Sequence, residues 1–474
     1  MSFSSPGFIF AFMPVFFICY FLVPAWLRNA VLVAASLAFY SIEGGFVTAV
    51  LIASIAVNYV FGELIDRSVS YRWRLSVLAA GVVLNLAPLL YYKYWNFLLT
   101  VANDARGLVG ETAPFSLADI VLPAGISFFT FQGLSYIIDI YRRDIRPAPT
   151  IVDFGMYHTL FPQLVAGPIV RYREVEHQIV TRDVGARDVE LGIIRFCVGL
   201  AKKLVLADSM GTVADHMFGL APDQLTTSAA WLGILAYTLQ IFFDFSGYSD
   251  MAIGLGRMLG FRFPENFDQP YRSKSITEFW RRWHMTLSRW FRDYLYIPLG
   301  GNRAGWLRTY LNLFIVFVLC GLWHGSAYTF LVWGMYHGAL LVIERINMRM
   351  FGFSLPSVIS WPLTLLLVVI GWVFFRAGTM AHAGTMLWAM AGFGATSSVF
   401  DLAAFVTPDK VVFFLVACVI ALWPKGTLVN VGGRWSDTAP LGRSLRQVGA
   451  LLLFVYSAAL VAANGFNPFI YFRF

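Results

Sequence analysis

The sequence predicts an all-α, polytopic membrane protein, and two observations lead to this prediction. Apolar residues make up 58% of the 474 residues and charged residues only 13%, whereas a soluble domain has about 45–50% apolar and about 25% charged residues. Long apolar stretches also recur along the whole chain, at residues 8–26, 75–90, 363–375, 411–423 and 448–463. Since a straight span needs about 20 residues, we expect the shorter stretches to extend into their flanks and about 10–12 helices to enter or cross the bilayer.

The order of apolar and polar segments predicts one membrane domain over residues 1–474. Residues 1–140 are mostly hydrophobic, residues 141–225 are mixed, and residues 346–474 are hydrophobic again. Residues 226–345 contain almost every polar side chain that is costly to place in lipid, so we interpret them as the catalytic core segment. No basic residue precedes the first apolar stretch, which we therefore expect to be a helix of the mature protein and not a signal peptide.

The net charge of +8 comes largely from basic residues in the loops between apolar stretches. Cytoplasmic loops of membrane proteins are enriched in Lys and Arg, so this charge indicates membrane topology and not nucleic-acid binding. Charge-poor loops such as residues 43–45 alternate with the basic ones. We therefore place the N-terminus outside the cytoplasm and the following basic groups inside it: Arg28; Arg67, Arg72 and Arg74; and Arg142, Arg143 and Arg146.

Residues 272–308 combine arginines with interleaved aromatic side chains and few acidic ones. This composition predicts a cytoplasmic amphipathic helix near residues 272–300 that lies at the membrane interface or dips into it. Ser275 or Thr277 would cap its start, and Glu278 follows Ser275 by three residues, as in a capping box.

Such a helix would carry its functional side chains in stripes, because residues three, four and seven apart share a face. One predicted stripe consists of Thr277, Arg281, His284, Ser288 and Phe291. Arg282 and Arg289 would form a second, cationic stripe beside aromatic rings such as Trp280. These stripes suit an anionic ligand at the cytoplasmic surface, and the alternative is contact with anionic lipid headgroups.

A polar cluster interrupts an otherwise apolar run. Asp244, Ser246, Tyr248 and Asp250 follow the apolar residues 231–241. Ionisable residues within spans are costly and are functional candidates by default. The two carboxylates are six residues apart and so do not share one helical face. The alternative interpretation is a hydrogen-bonded knot that holds helices together.

His324 is the second costly polar group, and we expect it near the middle of a long apolar region. Gly321 and Gly325 flank it and would let backbones approach closely. A buried imidazole tends to stay neutral because desolvation disfavours its charged form. A neutral imidazole can accept a proton from a hydroxyl, as a general base in acyl transfer must. The alternative is a structural histidine whose hydrogen bonds are satisfied.

The sequence motifs of several other enzyme classes are absent. There is no phosphate-binding loop of the form Gx4GK[ST], no GxGxxG and no HExxH motif. The four cysteines form no CxxC pair, which indicates small buried residues and no disulfide or zinc site. We therefore expect no metal and no tightly bound cofactor.

The candidate residues lie within long, ordered motifs. These are Phe243-Asp244-Phe245-Ser246-Gly247-Tyr248-Ser249-Asp250-Met251-Ala252, Pro264-Glu265-Asn266-Phe267, Ile276-Thr277-Glu278-Phe279-Trp280-Arg281-Arg282-Trp283-His284, Arg292-Asp293-Tyr294-Leu295-Tyr296-Ile297-Pro298-Leu299-Gly300-Gly301-Asn302-Arg303 and Gly321-Leu322-Trp323-His324-Gly325. They resemble the membrane-bound O-acyltransferase (MBOAT) family, and within it the bacterial alginate O-acetyltransferase branch. Residues 161–169 and the ending 467–474 fit the same branch, so the resemblance covers nearly the whole chain.

The resemblance implies a fold and a set of site residues. The fold would be a ring of transmembrane and re-entrant helices around a central tunnel. His324 would be the catalytic residue and His284 the second functional position, 40 residues earlier. Our supporting or substrate-binding candidates are Asp244, Ser246, Tyr248, Asp250, Asn266, Trp280, Arg281, Arg282, Ser288 and Trp323. Among these, Asn266, Ser246 and Tyr248 are also candidates for stabilising an oxyanion, which acyl transfer requires.

The resemblance also implies an activity in the inner membrane of a bacterium. An acetyl group from acetyl-CoA or a similar cytoplasmic thioester would cross the membrane to a periplasmic SGNH-type acetyltransferase, which acetylates an exported polysaccharide such as alginate. One alternative is transfer of another acyl group, such as D-alanyl, to a cell-wall polymer. A second alternative is a proton-coupled transporter with Asp244, Asp250 and His324 as its relay.

Overall fold

The computed structural model describes residues 2–110, 114–303, 305–352, 355–396, 401–423, 440–464 and 467–470. Within these ranges the chain forms helices and no β-strand, which confirms the predicted all-α fold. The chain divides into two compact units, which we call the first and the second unit. The first is Met1–Val189 with Leu255–Pro264, and the second is Glu190–Gly254 with Glu265–Phe474. The single domain over residues 1–474 stays a prediction.

In the first unit, short one-turn helices join several of the α-helices. Its α-helices are α1 (Met13–Leu22), α2 (Arg28–Gly44), α3 (Thr48–Arg67), α4 (Tyr71–Leu89), α5 (Trp95–Leu108), α6 (Ile126–Arg142), α7 (Ile151–Thr159), α8 (Phe161–Leu164) and α9 (Tyr172–Val180). One-turn π-helices occupy Phe8–Phe12 and Leu90–Tyr94, and 3-10 turns occupy Ala25–Leu27 and Gly45–Val47. In the core of this unit, Asn58 and Asn85 exchange side-chain hydrogen bonds of 3.0 and 2.9 Å.

The second unit holds both histidines of the predicted site. Its α-helices are α10 (Ala186–Ala201, which begins in the first unit), α11 (Asp208–Phe218), α12 (Thr227–Met258, which ends in the first unit), α13 (Ile276–Arg282), α14 (Met285–Phe291), α15 (Trp306–His324), α16 (Tyr328–Met350), α17 (Ser357–Arg376), α18 (Met380–Trp388), α19 (Leu402–Phe405), α20 (Pro408–Leu422) and α21 (Pro440–Asn464). One-turn π-helices occupy Lys202–Ala207, Arg292–Tyr296 and Ala389–Phe393, and a 3-10 turn occupies Pro270–Arg272.

Local sequence explains where several of these helices begin. The side chains of Thr150, Ser275 and Thr379 accept backbone N–H groups at the starts of α7, α13 and α18. Hydroxyl caps of this kind satisfy donors that the first helical turn leaves free. Pro408 is the first residue of α20, a position where proline's missing N–H costs nothing. The side chain of Ser275 caps α13, which confirms the cap predicted there.

Six stretches of the described residues are long and apolar enough to cross a membrane. They are Ala25–Arg67, Tyr71–Leu108, Thr227–Met258, Trp306–His324, Ser357–Arg376 and Leu441–Ala463. The first two each contain two α-helices. The predicted polytopic membrane protein is confirmed, while the number of about 10–12 helices in or across the bilayer stays a prediction. Residues 471–474 of the C-terminal motif lie outside the described residues.

Helices α15 and α16 pack closely because glycines face each other. A Cβ atom on Gly321 would meet the carbonyl oxygen of Phe330 and would lie 2.9 Å from the Cα atom of Gly334. A Cβ atom on Gly334 would in turn meet the carbonyl oxygen of Phe317. Only hydrogen fits at these two positions, so Gly321 permits the close backbone approach that the sequence predicts, and Gly334 on α16 is its counterpart.

The continuous amphipathic helix predicted near residues 272–300 is wrong. The chain forms α13 and α14 instead, and His284 between them has a φ of +43°, in the left-handed region where histidine is one of the few tolerated residues. A continuous helix cannot contain that conformation. Because the helix breaks, Thr277, Arg281, His284, Ser288 and Phe291 do not form one stripe, and Arg282 and Arg289 lie on separate helices.

Candidate active site

The structure brings His284 and His324 together although 40 residues separate them. Their ring centroids are 6.4 Å apart, and both side chains are buried. The sequence had suggested different depths for them, with His284 on a cytoplasmic surface. The break at His284 explains the difference, because it turns the basic segment inward so that this side chain reaches the end of α15.

His324 is the last residue of α15, and the turn to α16 follows it directly. The long apolar region in which the sequence places His324 is thus two helices and the turn between them, and His324 lies at that turn. The 19 residues of α15 at about 1.5 Å each extend about 28 Å, close to the thickness of a bilayer's hydrocarbon core. Along this helix, the distance from His324 to the basic residues that precede Trp306 is therefore close to the thickness of the hydrocarbon core.

Aromatic rings enclose His324. Its imidazole centroid lies 4.9 Å from the ring of Trp323, 5.1 Å from that of Trp333 and 5.2 Å from that of Phe375, all edge-on. Trp323 also contacts His284, with ring centroids 5.9 Å apart. Trp323 was predicted, whereas Trp333 and Phe375 were not, because isolated aromatic residues in apolar helices give no signal of their own.

His284 is held by the side chain of Asn266. The Nδ1 atom of His284 lies 3.1 Å from the Oδ1 atom of Asn266, and the ring of Phe245 packs edge-on at 4.7 Å. The Nε2 atom of His284 has no hydrogen-bond partner among the described residues. His284 lies outside the candidate spans, and burial lowers the pKa of its imidazole from the ordinary histidine value to about 3. The ring is therefore neutral at physiological pH and can accept a proton.

The other residues predicted on the basic segment have different surroundings. Trp280 is buried, and its ring contacts Trp333 at 5.6 Å. Ser288 donates a hydrogen bond of 3.0 Å to the carbonyl oxygen of Trp280. Arg282 forms an ion pair of 2.8 Å with Glu278, while Arg281 is exposed. Trp280 is thus linked to His324 through the ring of Trp333, which packs against both.

The aspartates of the predicted cluster form ion pairs with lysine and arginine side chains. Asp244 forms an ion pair of 2.7 Å with Lys203, and its other oxygen accepts the backbone N–H of Ile470. Asp250 forms ion pairs of 2.6 Å with both Arg195 and Lys202. Sequence analysis did not identify these three cations as candidates. A lysine pair inside an apolar stretch is nevertheless costly for the same reason as the aspartates.

Ser246 and Tyr248 lie on α12 within the same polar region. Both are buried, and the ring of Tyr248 packs edge-on against Phe469 at 4.8 Å. The Oγ atom of Ser246 has no hydrogen-bond partner among the described residues. The supporting role predicted for these two residues stays a prediction.

Two cavities lie next to the histidine site within the second unit. One, of about 220 Å³, runs along α15 from Leu313 to Cys320 and is also lined by Trp280, Ser288 and Arg292. The other, of about 320 Å³, lies beyond the end of α15 and is lined by Phe330, Phe375 and Thr329 together with the ion pair of Asp215 and Arg376. Phe375 separates this second cavity from the ring of His324.

Comparison with known proteins places the chain in a family. The family model described as MBOAT, membrane-bound O-acyltransferase family, matches residues 142–381, half of the chain, and this range includes both histidines. The protein belongs to the membrane-bound O-acyltransferase family. It is therefore a multi-pass membrane enzyme that transfers an acyl group to oxygen, and acyl transfer replaces the transporter alternative.

Relatives extend the match over the whole chain. The protein is 41% identical to the probable alginate O-acetylase AlgI of Pseudomonas putida, in an alignment 497 positions long that covers 100% of both chains. It is 47% identical to the probable alginate O-acetylase AlgI of Pseudomonas syringae pv. tomato over 83% of this chain and 76% of the other. It is 37% identical to the peptidoglycan O-acetyltransferase of Helicobacter pylori over 84% of this chain and 81% of the other. These matches support the predicted alginate O-acetyltransferase branch of the family.

Proposed function

We propose that this protein transfers acetyl from a cytoplasmic thioester donor such as acetyl-CoA, across the inner membrane of a bacterium, for O-acetylation of an exported polysaccharide such as alginate. The relatives named for O-acetylation of alginate and of peptidoglycan support the acetyl group and a polysaccharide as the final acceptor. A periplasmic SGNH-type acetyltransferase is the partner that receives the acetyl group in this proposal.

The observation that carries the proposal is the pair of buried histidines, whose ring centroids are 6.4 Å apart. His324 acts as the general base. It takes the proton from the acceptor hydroxyl while that oxygen attacks the thioester carbonyl carbon. The C–S bond then breaks, and the thiolate leaves with the proton. A positioned base of this kind contributes about 10²–10⁴-fold to the rate.

The two cavities fit a route with one substrate on each side. Under the positive-inside rule the basic segment that leads into α15 faces the cytoplasm, so the cavity between Leu313 and Cys320 lies on the donor side of His324. Its lining is mostly apolar and includes Arg292, whose guanidinium forms an ion pair of 2.7 Å with Asp293. The cavity with Asp215 and Arg376 lies on the acceptor side, where polar groups suit a hydroxyl-bearing substrate.

The test is acetyl transfer by the full-length protein in lipid vesicles. Acetyl-labelled acetyl-CoA is supplied on one side, and an SGNH-type acetyltransferase with de-O-acetylated alginate on the other. We expect label on the partner or the polysaccharide with the wild-type protein and a loss of about 10²–10⁴-fold with His324→Gln. His382→Gln, which changes a histidine of α18 away from the site, is the matched control.

Three results would overturn parts of the proposal. Full transfer by His324→Gln would remove the assignment of the base. Transfer from a D-alanyl thioester but not from acetyl-CoA would replace acetyl with D-alanyl, the alternative acyl group. Transfer that proceeds equally when donor and acceptor are on the same side would remove the step across the membrane.

A further inference from the structure

Asn266 lies in the loop before α13 and makes an unusually complete set of hydrogen bonds. Its Oδ1 atom lies 3.2 Å from the backbone nitrogen of Thr286, 2.9 Å from the Oγ1 atom of Thr286 and 3.1 Å from the Nδ1 atom of His284. Its Nδ2 atom lies 3.1 Å from the Oγ atom of Ser249. Its backbone oxygen accepts the N–H of Met285. The side chain is 1% exposed, so these contacts define its orientation.

The hydrogen-bond partners determine which end of the amide faces the imidazole. The backbone N–H of Thr286 can only donate, so the atom that faces it must be the amide oxygen. The reversed amide would place two donors against each other at 3.2 Å. The Oδ1 atom of Asn266 therefore also faces His284.

This orientation selects one tautomer of His284. An amide oxygen has no hydrogen to donate, so the hydrogen in its contact with the imidazole must be on Nδ1. A neutral imidazole carries a single N–H, and the Nε2 atom then has a free lone pair. That Nε2 atom is buried and has no hydrogen-bond partner among the described residues.

We propose that Asn266 is a positioning residue, which holds His284 as the Nδ1-protonated tautomer so that the Nε2 atom is a proton acceptor beside His324. The oxygen of Asn266 serves His284 and Thr286, and one N–H of its amide faces Ser249; its role as an oxyanion donor stays a prediction. The tautomer itself does not depend on the proposed function, whereas its effect on the reaction rests on acyl transfer to the acceptor hydroxyl.

The first test observes the tautomer directly. Full-length protein labelled with ¹⁵N-histidine is placed in lipid nanodiscs, and the signals of His284 are assigned by comparison with His284→Gln. We expect a protonated Nδ1 and an unprotonated Nε2 in the wild type at neutral pH, and the same pattern in Ser249→Ala, which removes only the far contact of the amide. A protonated Nε2 in the wild type would overturn the proposal, whatever the enzyme's substrate is.

The second test changes the electrostatics at the same contact. Asn266→Asp keeps an oxygen acceptor at Nδ1 and adds a negative charge beside the imidazole. An opposite charge at this distance favours the protonated ring and raises its pKa by about 1–3 units. Because the neutral ring is the active form, we expect the acid limb of the pH–rate profile for acetyl transfer to move to higher pH by about that amount.

The surroundings of His284 leave few other causes for such a shift. The recorded contacts of its ring are with Phe245, Asn266, Trp323 and His324, of which only His324 titrates. Phe245 lies on α12, and the charged residues of the polar cluster on this helix are Asp244 and Asp250. Both are held in ion pairs.

The variants separate positioning from a merely structural role. Asn266→Leu removes the acceptor and is expected to lower kcat and to populate the other tautomer, while Ser249→Ala leaves the pH–rate profile in place. An unchanged profile in Asn266→Asp, with its folded structure intact by circular dichroism, would overturn the positioning role. Absence of acetyl transfer by the wild type would instead refute the proposed function, and the ¹⁵N signals would still test the tautomer.

Discussion

Two buried polar clusters in the second unit have opposite chemistry. The histidine site, made of His284, His324 and Asn266, contains neutral groups and keeps a lone pair on the Nε2 atom of His284 without a partner among the described residues. The ion-pair cluster on α12 contains Asp244 and Asp250, and each carboxylate is matched by lysine or arginine at 2.6–2.7 Å.

The two clusters differ in how readily they could exchange a proton. A buried charge is tolerated when an opposite charge and hydrogen bonds compensate it, and such a pair is then hard to alter. A proton relay would require the aspartates to exchange protons in turn, which their ion pairs oppose. A neutral imidazole with an unused lone pair is instead ready to take a proton. The comparison therefore supports the proposal that the histidines carry the chemistry, while the ion pairs of the aspartates favour a structural role.

The largest effect is expected at His284, where His284→Gln should reduce acyl transfer by about 10²–10⁴-fold because a positioned proton acceptor is lost. The loss should appear in kcat, with the thermal unfolding midpoint close to that of the wild type. His158→Gln in the first unit is the control, since His158 is equally buried and is hydrogen-bonded to Ser54 at 2.9 Å. The assignment fails if both variants lose activity in parallel with stability.

The next effect is expected at Lys203, whose ammonium is 3% exposed and pairs with Asp208 and Asp244 at 2.7 Å. Lys203→Met leaves the buried carboxylate of Asp244 without its cation and should destabilise the protein by about 3–5 kcal/mol. Thermal unfolding in detergent, followed by circular dichroism, measures the change. Arg67→Met, which breaks an exposed pair with Glu63, should cost about 1 kcal/mol or less. Equal effects of the two variants would contradict a structural role for the buried cluster.

The smallest effect is expected at the edge of the ion-pair cluster. Glu265 shares Arg195 with Asp250, but its side chain is 55% exposed, so solvent screens the interaction. Glu265→Gln should change the free energy of unfolding by about 1 kcal/mol or less and leave acyl transfer unaltered. A large loss of activity in this variant would show that the two clusters are coupled, and the division between them would then be incorrect.

Much of the site was predictable because single residues stand out against an apolar sequence. His324, Asp244 and Asp250 are costly in a membrane segment wherever they pack. Ser275 has the local pattern of a helix cap, and the structure has that cap. The break between α13 and α14 was not predictable in the same way. A residue in the left-handed conformation, such as His284, does not change the helical spacing of polar and apolar residues in the sequence.

The partners of the predicted residues were the larger gap. Arg195, Lys202 and Lys203 are 41–55 residues away from their aspartates in the sequence, and no local pattern pairs them. Glycine packing between α10 and α12 makes the pairing possible, since a Cβ atom on Gly247 would lie 2.7 Å from the carbonyl oxygen of Gly199. Close approach of two helices is a property of both surfaces together, so neither sequence segment contains it alone.

The sequence by itself determined the membrane environment, the all-α class, the family and the two histidines, because composition and ordered motifs are properties of the linear chain. Only the tertiary structure decided that His284 turns inward to meet His324, that the aspartates are closed off by cations, and that Asn266 orients an imidazole. Those outcomes depend on which groups become neighbours once water is excluded, when each buried donor and charge must find a partner across helices.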